Sequence, residues 1–165
     1  VISINSFSKY FCMTGWRLGW LVVPEALVPV IERLAQNFYI CPNVIGQHAA
    51  LACFEPDSIA EYERRRAGFK ARRDWFIPQL ERLGFRVPVM PDGAFYAWAD
   101  ASEWFAPMGV ADSWDFVFSL LQRAHVAVTP GRDFGRVGTE RFVRFSTANS
   151  LENLERAVAR LEALR

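Results

Sequence analysis

Two cations draw attention because of what surrounds them. Lys9 stands in Ser6-Phe7-Ser8-Lys9, and Arg17 follows eight residues later in Thr14-Gly15-Trp16-Arg17-Leu18-Gly19-Trp20. The chain holds 19 Lys+Arg, of which only Lys9 and Lys70 are lysines, and no acid precedes Glu25. A free lysine has a pKa of about 10.4 and is a poor nucleophile at neutral pH. Burial, or a second cation such as Arg17, favours the neutral amine. A guanidinium with hydroxyls beside it suits a phosphate. Together these residues point to an amine that binds a carbonyl cofactor carrying a phosphate. The plain alternatives are a solvated surface lysine and a surface arginine stacked on an indole.

A third cation, Arg144, falls inside the apolar run Phe142-Val143-Arg144-Phe145-Ser146. A charge in mid-strand is costly unless it faces water or a partner. It reads either as the exposed face of an edge strand or as a clamp that grips a carboxylate with two parallel hydrogen bonds. The run Arg64-Arg65-Arg66, with Lys70, Arg72 and Arg73 beyond it, is interleaved with Glu61, Glu63 and Asp74. That pattern reads as a solvated helix face rather than a nucleic-acid patch.

The elements that must hold these residues alternate between helix and strand. Val1–Ile4 reads as a buried strand and Gly19–Val23 as a second. Helices follow over about Glu25–Gln36, with Pro24 near the start, and Asn43 to Phe54. Asp57 is a good N-cap for a long helix, Ser58 to Leu83, that Gly84 stops; Pro78 inside it predicts a kink or an early end. Phe85–Val89 and Ala94–Ala99 read as strands around a Met90-Pro91-Asp92-Gly93 turn. Ser113–Ala124 is a helix, Val126–Thr129 a short strand, Pro130–Gly138 a loop and Phe142–Ser146 a strand. Asn149 or Ser150 caps a final helix with Leu151, Leu154, Val158, Leu161 and Leu164 on one stripe. The fold class is α/β. Residues 1–57 read as strands of a parallel-type sheet with helices, and 58–165 as a small α+β unit.

Composition narrows the classes. Of 165 residues 52% are hydrophobic and 15% aromatic, which excludes disorder. A net charge of +1 gives no general field for nucleic acid or an anionic membrane. No apolar run is long enough to span a bilayer. The cysteines, Cys12, Cys41 and Cys53, show no CxxC and no ligand spacing with His48 or His125, so no metal site is expected. They read as reduced packing residues of a cytoplasmic protein. The chain opens without Met inside an apolar β-branched run, which reads as a start partway through a domain.

The ordered set of motifs resembles the class I/II aminotransferases, pyridoxal-phosphate enzymes of fold type I. Ser6-Phe7-Ser8-Lys9 followed by Gly15-Trp16-Arg17-Leu18-Gly19 is similar to the family's lysine motif. Gly93-Ala94-Phe95-Tyr96 resembles its GAFY strand, Pro130-Gly131-Arg132-Asp133-Phe134-Gly135 its PGxxFG loop, and Val143-Arg144-Phe145-Ser146 its carboxylate-binding segment. The resemblance implies the C-terminal part of a large cofactor-binding domain followed by the small domain. It implies that Lys9 joins pyridoxal 5'-phosphate as an imine and transfers the proton. Ser6 and Arg17 would hold the phosphate, with Ser8 assisting, Arg144 would bind the substrate α-carboxylate, and Asn43 would lie near the substrate across a homodimer.

The implied substrates are an amino acid and a 2-keto acid. The carboxylate that pairs with the pyridine nitrogen would lie upstream of Val1, so the 165-residue polypeptide alone is expected to be inactive. No Lys or Arg occurs between Arg33 and Arg64 to meet a distal carboxylate, which disfavours the simplest aspartate-type arrangement, and Phe38 and Tyr39 would suit an apolar side chain. Two other readings stay open: an aminotransferase-like effector domain of a transcription regulator, and another fold-type-I reaction such as a C–S lyase or decarboxylase.

Overall fold

The computed structural model describes residues 1–165. Packing divides the chain into two compact units, Val1–Arg66 and Ala67–Arg165. The division falls inside the longest helix.

The first unit opens with β1 (Ser3–Ser6) and β2 (Gly19–Val22), paired antiparallel with Ser6 opposite Gly19 and Ser3 opposite Val22. The two strands do not pair in parallel, and β1 is not buried as its apolar pattern predicts. Ile4 is 80% exposed and every residue of β2 is exposed, with Trp20 packed on Phe7 at 5.0 Å between centroids. Gly19 permits the close pairing: a Cβ there would lie 2.6 Å from the Asn5 carbonyl oxygen.

A 3-10 turn over Glu25–Leu27 leads into α1 (Val28–Phe38), with Pro in its first turn where the missing N–H costs little. Helix α1 buries none of its residues. Helix α2 (Val44–Leu51) is shorter than the pattern predicts, since its last residues tighten into a 3-10 turn, Ala52–Phe54. A small core forms from Phe7, Met13, Leu18, Ala50 and Cys53, with Phe11 and Tyr62 packed against it. Cys53 is the one cysteine that packs; Cys12 and Cys41 are exposed, and all three are free thiols.

Helix α3 (Pro56–Arg82) runs through Pro78 without ending. Its stop is at Gly84, with φ +85, where the Phe85 N–H reaches back to the Leu80 carbonyl. No helix of the protein is long and apolar enough to cross a membrane.

The second unit is built on a three-stranded antiparallel sheet. Its strands are β3 (Tyr96–Asp100), β4 (Thr129–Pro130) and β5 (Phe142–Ser146), with β5 in the centre. The expected strand over Phe85–Val89 reduces to one bridge, Arg86 with Asp100, since Pro88 has no N–H to extend the ladder. Alternation sends Ala97, Ala99, Val143 and Phe145 into the core. There they meet Phe76 and Leu80 of α3, Phe116 and Leu120 of α5 (Ser113–Ala124), and Leu154 and Leu161 of α6 (Leu151–Leu164). Asp112 caps α5 through the N–H groups of Trp114 and Asp115, and Ser150 caps α6 through Asn153. Leu151, expected on the buried stripe of α6, is exposed.

A further helix, α4 (Ser102–Met108), carries two turns that the sequence pattern did not reveal. Its start is set by the buried carboxylate of Asp100. That group accepts from the Ser102 N–H and hydroxyl, pairs with Arg86 at 2.8 Å and lies 3.2 Å from Arg141. Burial alone would raise its pKa. Hydrogen bonds from Ser102 and Arg86, with the charge of Arg141, outweigh burial and hold it below the usual carboxylate range.

Candidate functional site

Loop 7–18 joins β1 to β2 and carries most of the predicted chemistry. A loop this long frays unless it is tied at several points. Here the Phe7 N–H bonds the Leu18 carbonyl at the base, and the Met13 N–H returns to the Phe7 carbonyl. Phe7, Met13 and Leu18 all bury their side chains beneath the loop, while Lys9, Thr14 and Arg17 stay exposed. A tight turn from Lys9 to Cys12, closed by the Cys12 N–H on the Lys9 carbonyl, places Lys9 at an exposed corner directly after β1.

Ser6, Ser8, Lys9 and Arg17 are therefore all carried by one end of one hairpin. The Ser8 N–H bonds the Ser6 hydroxyl at 3.1 Å, and the Thr14 hydroxyl donates to the Ser8 carbonyl. Arg17 sits in the left-handed region at φ 54, and its guanidinium donates to the Thr14 carbonyl at 3.0 Å. A non-glycine residue held there costs of order 1 kcal/mol and marks a geometry the surroundings impose. Two hydroxyls, a guanidinium and a primary amine, with no acid before Glu25, make a set that fits a phosphate and a carbonyl.

Thr14 was not singled out by sequence; its position inside the lysine motif was the available signal. Asn43 has a local structural job in this unit. It is the N-cap of α2, its side-chain oxygen accepting from the Gly46 N–H at 3.2 Å, and a Cβ on Gly46 would touch both Asn43 and Trp16. The cap thus sits against the residue that precedes Arg17.

Arg144 belongs to the second unit. It is on the central strand, not on an edge, opposite Trp98 on one side and Thr129 on the other. Strand alternation turns it away from the core formed by Val143 and Phe145. The half-buried guanidinium lies 4.1 Å from the Tyr96 ring centroid and 4.5 Å from that of Phe134, and reaches the Thr129 hydroxyl at 3.4 Å. Its company is two aromatic faces and a hydroxyl. No carboxylate of the chain pairs with it, although Asp100 binds two other arginines.

Phe134 is delivered by the Pro130–Gly135 loop. Gly131 makes that loop possible, since a Cβ there would lie 2.1 Å from the Thr139 carbonyl oxygen. Tyr96 and Phe134 were read only as motif letters; the structure makes them the walls around Arg144.

The sequence profile of the family described as aminotransferase class I and II matches residues 1–161. The chain belongs to that family. A valine–pyruvate aminotransferase of Mycobacterium tuberculosis is 40% identical over 97% of this chain and 40% of its own length. An aspartate aminotransferase of Thermotoga maritima is 34% identical over 98% of this chain and 39% of its own. Among solved structures, an aminotransferase from Mycobacterium tuberculosis superposes with a TM-score of 0.90 at 40% identity, covering 98% of this chain and 41% of that one.

The α/β aminotransferase fold is thereby shown for this chain, which spans about two fifths of the length of the curated relatives it matches. The family is a pyridoxal-phosphate family, and the Lys9 hairpin is the part of this aminotransferase chain whose donors fit that group.

Proposed function

We propose that this chain is the C-terminal part of a pyridoxal-phosphate-dependent aminotransferase that moves an amino group between an amino acid and a 2-keto acid. It would act in amino-acid metabolism as a cytoplasmic homodimer. Residues 1–57 would complete the cofactor-binding domain and 58–165 would form the small domain.

The observation that carries this reading is the hairpin end where Ser6, Ser8, Lys9 and Arg17 are presented together on a loop without acids. When bound, pyridoxal phosphate supplies an aldehyde and a ring that takes up electrons from the reacting carbon. Ser6, Ser8 and Arg17 would hold the phosphate through two hydroxyls and a guanidinium. Lys9 would be the amine that meets the aldehyde, and it would hold and move the proton at the substrate α-carbon. Arg144, stacked between Tyr96 and Phe134, grips the substrate α-carboxylate with a guanidinium that no acid of the chain already occupies. Asn43 caps the start of α2 and would lie near the substrate across the homodimer.

The test uses the full-length protein. Adding pyridoxal phosphate should produce a visible absorbance band that Lys9→Ala abolishes and Lys70→Ala retains, with transamination lost in Lys9→Ala alone. Equal behaviour of the two variants would sink the assignment.

A further inference from the structure

The charged run on α3 has a use beyond a solvated face. Two residues of the Lys9 turn are tied to it. The Tyr10 hydroxyl donates to a Glu63 carboxylate oxygen at 2.7 Å, and the Arg65 guanidinium donates to the Cys12 sulfur at 3.1 Å. Tyr10 is the residue after Lys9, and Cys12 closes the turn on the Lys9 carbonyl, so the two ties bracket the lysine backbone.

Each anchor on α3 is itself fixed by a helical ion pair. Glu63 is held by Arg66 at 2.6 Å, and Arg65 by Glu61 at 2.6 Å. Arg64 and Arg65 together bring the Glu61 carboxyl down to about 2, so it stays charged through the neutral range. The Tyr10 ring packs on Phe11 at 5.1 Å and on Tyr62 at 5.4 Å between centroids, which limits where the hydroxyl can point. Cys12 is kept in the left-handed region at φ 57, a conformation a lone turn would not keep.

We propose that Tyr10–Glu63 and Cys12–Arg65 form a two-point clamp by which α3 sets the position of the Lys9 amine. This rests on the assignment of Lys9 as the cofactor lysine. Tyr10, Glu63, Cys12 and Arg65 are positioning residues: they reach the chemistry only through Lys9. Turnover needs Lys9 at a fixed place after its amine is released, and a turn held at one end only would let it wander.

The test compares Lys9 with Lys70 inside the same molecule. The full-length protein, freed of cofactor, is treated with limiting acetic anhydride, and acetylation of each lysine is followed by peptide mass spectrometry. Tyr10→Phe keeps the ring and removes only the hydroxyl. It should raise Lys9 acetylation relative to Lys70 about two- to tenfold, the scale of one lost hydrogen bond. Glu63→Met should do the same. Glu63→Gln loses the Arg66 ion pair but keeps an acceptor for Tyr10, and should raise Lys9 acetylation less than Glu63→Met does.

Because the two residues share one contact, Tyr10→Phe/Glu63→Met should change no more than either single variant. Arg65→Met should raise Lys9 acetylation independently. In the loaded enzyme the same variants should lower kcat and leave KM unchanged. A Lys9-to-Lys70 ratio unmoved by Tyr10→Phe and Glu63→Met, in protein with an unchanged melting midpoint, overturns the clamp. So does Glu63→Gln behaving like Glu63→Met. A visible band that survives Lys9→Ala would overturn the lysine assignment instead, so the two failures are distinct.

Discussion

The two units hold their candidate cations in opposite ways. In the first, Ser6 at the end of β1 and Lys9 and Arg17 on the loop after it lie exposed above a core of a few side chains, and α1 buries nothing. In the second, Arg144 sits half-buried on a central strand backed by a core in which Ile77, Leu80, Phe116, Val143 and Leu161 are fully buried. The first unit fixes its residues by hydrogen bonds along the backbone and by the ties to α3. The second fixes Arg144 by the sheet register and by two aromatic walls. The proposed role of Lys9, which would change partners during a reaction, suits the first arrangement. The proposed role of Arg144, which would only grip, suits the second, since a rigid guanidinium loses little freedom on binding.

The contrast can be broken most directly by core substitution. Phe85 is 1% exposed and stacks on Trp104 at 5.0 Å. Phe85→Ala should cost about 3–5 kcal/mol by urea denaturation of this chain, through lost contacts and a cavity. Phe38, at 80% exposure, is the matched control. Phe38→Ser should stay within about 0.5 kcal/mol in the same assay. Comparable losses at the two positions would mean that α1 is packed after all.

A smaller effect sharpens the picture of the second unit. Asp100 holds Arg86, Arg141 and the start of α4, and Asp100→Asn should cost about 2–3 kcal/mol, the value of charge-assisted hydrogen bonds left unpaired. Its pH dependence has a defined sign. The folded pKa lies below the unfolded value of 3.8, so this contribution is complete above that value and is lost as pH falls through the lowered folded pKa. Asp100→Asn should therefore flatten the acid limb of the melting midpoint below about pH 4 and leave the neutral region uniformly lower.

Much of the fold was legible because its signals are local. Ser150 is a cap by residue type, Gly84 is a stop, and the Leu154, Val158 and Leu161 stripe is a helical period; Asp57, read as a cap, falls instead inside the first turn of α3. Where the sequence misled, a non-local partner decided. Val1–Ile4 has the composition of a buried strand, but burial depends on what covers it. Pro78 signals a break, yet α3 continues because Phe76, Ile77 and Leu80 are locked into the core on either side of it. Helix α4 has a weak periodicity of its own and forms because Asp100, fixed in β3, offers its carboxylate to Ser102.

The candidate site divides along the same line. Sequence alone determined which groups are present: one lysine in an acid-free segment, an arginine and hydroxyls at motif spacing, and a charge inside an apolar strand. Residue type and spacing are covalent facts, and the chemistry a group can do follows from them. Only the tertiary structure decided where those groups are held. It placed Arg144 on a central strand under Tyr96 and Phe134, gave Asn43 to the start of α2, and tied the Lys9 turn to Glu63 and Arg65 more than fifty residues away. Such contacts join residues distant in the chain, and their energy appears only when the packing that orients both partners is in place.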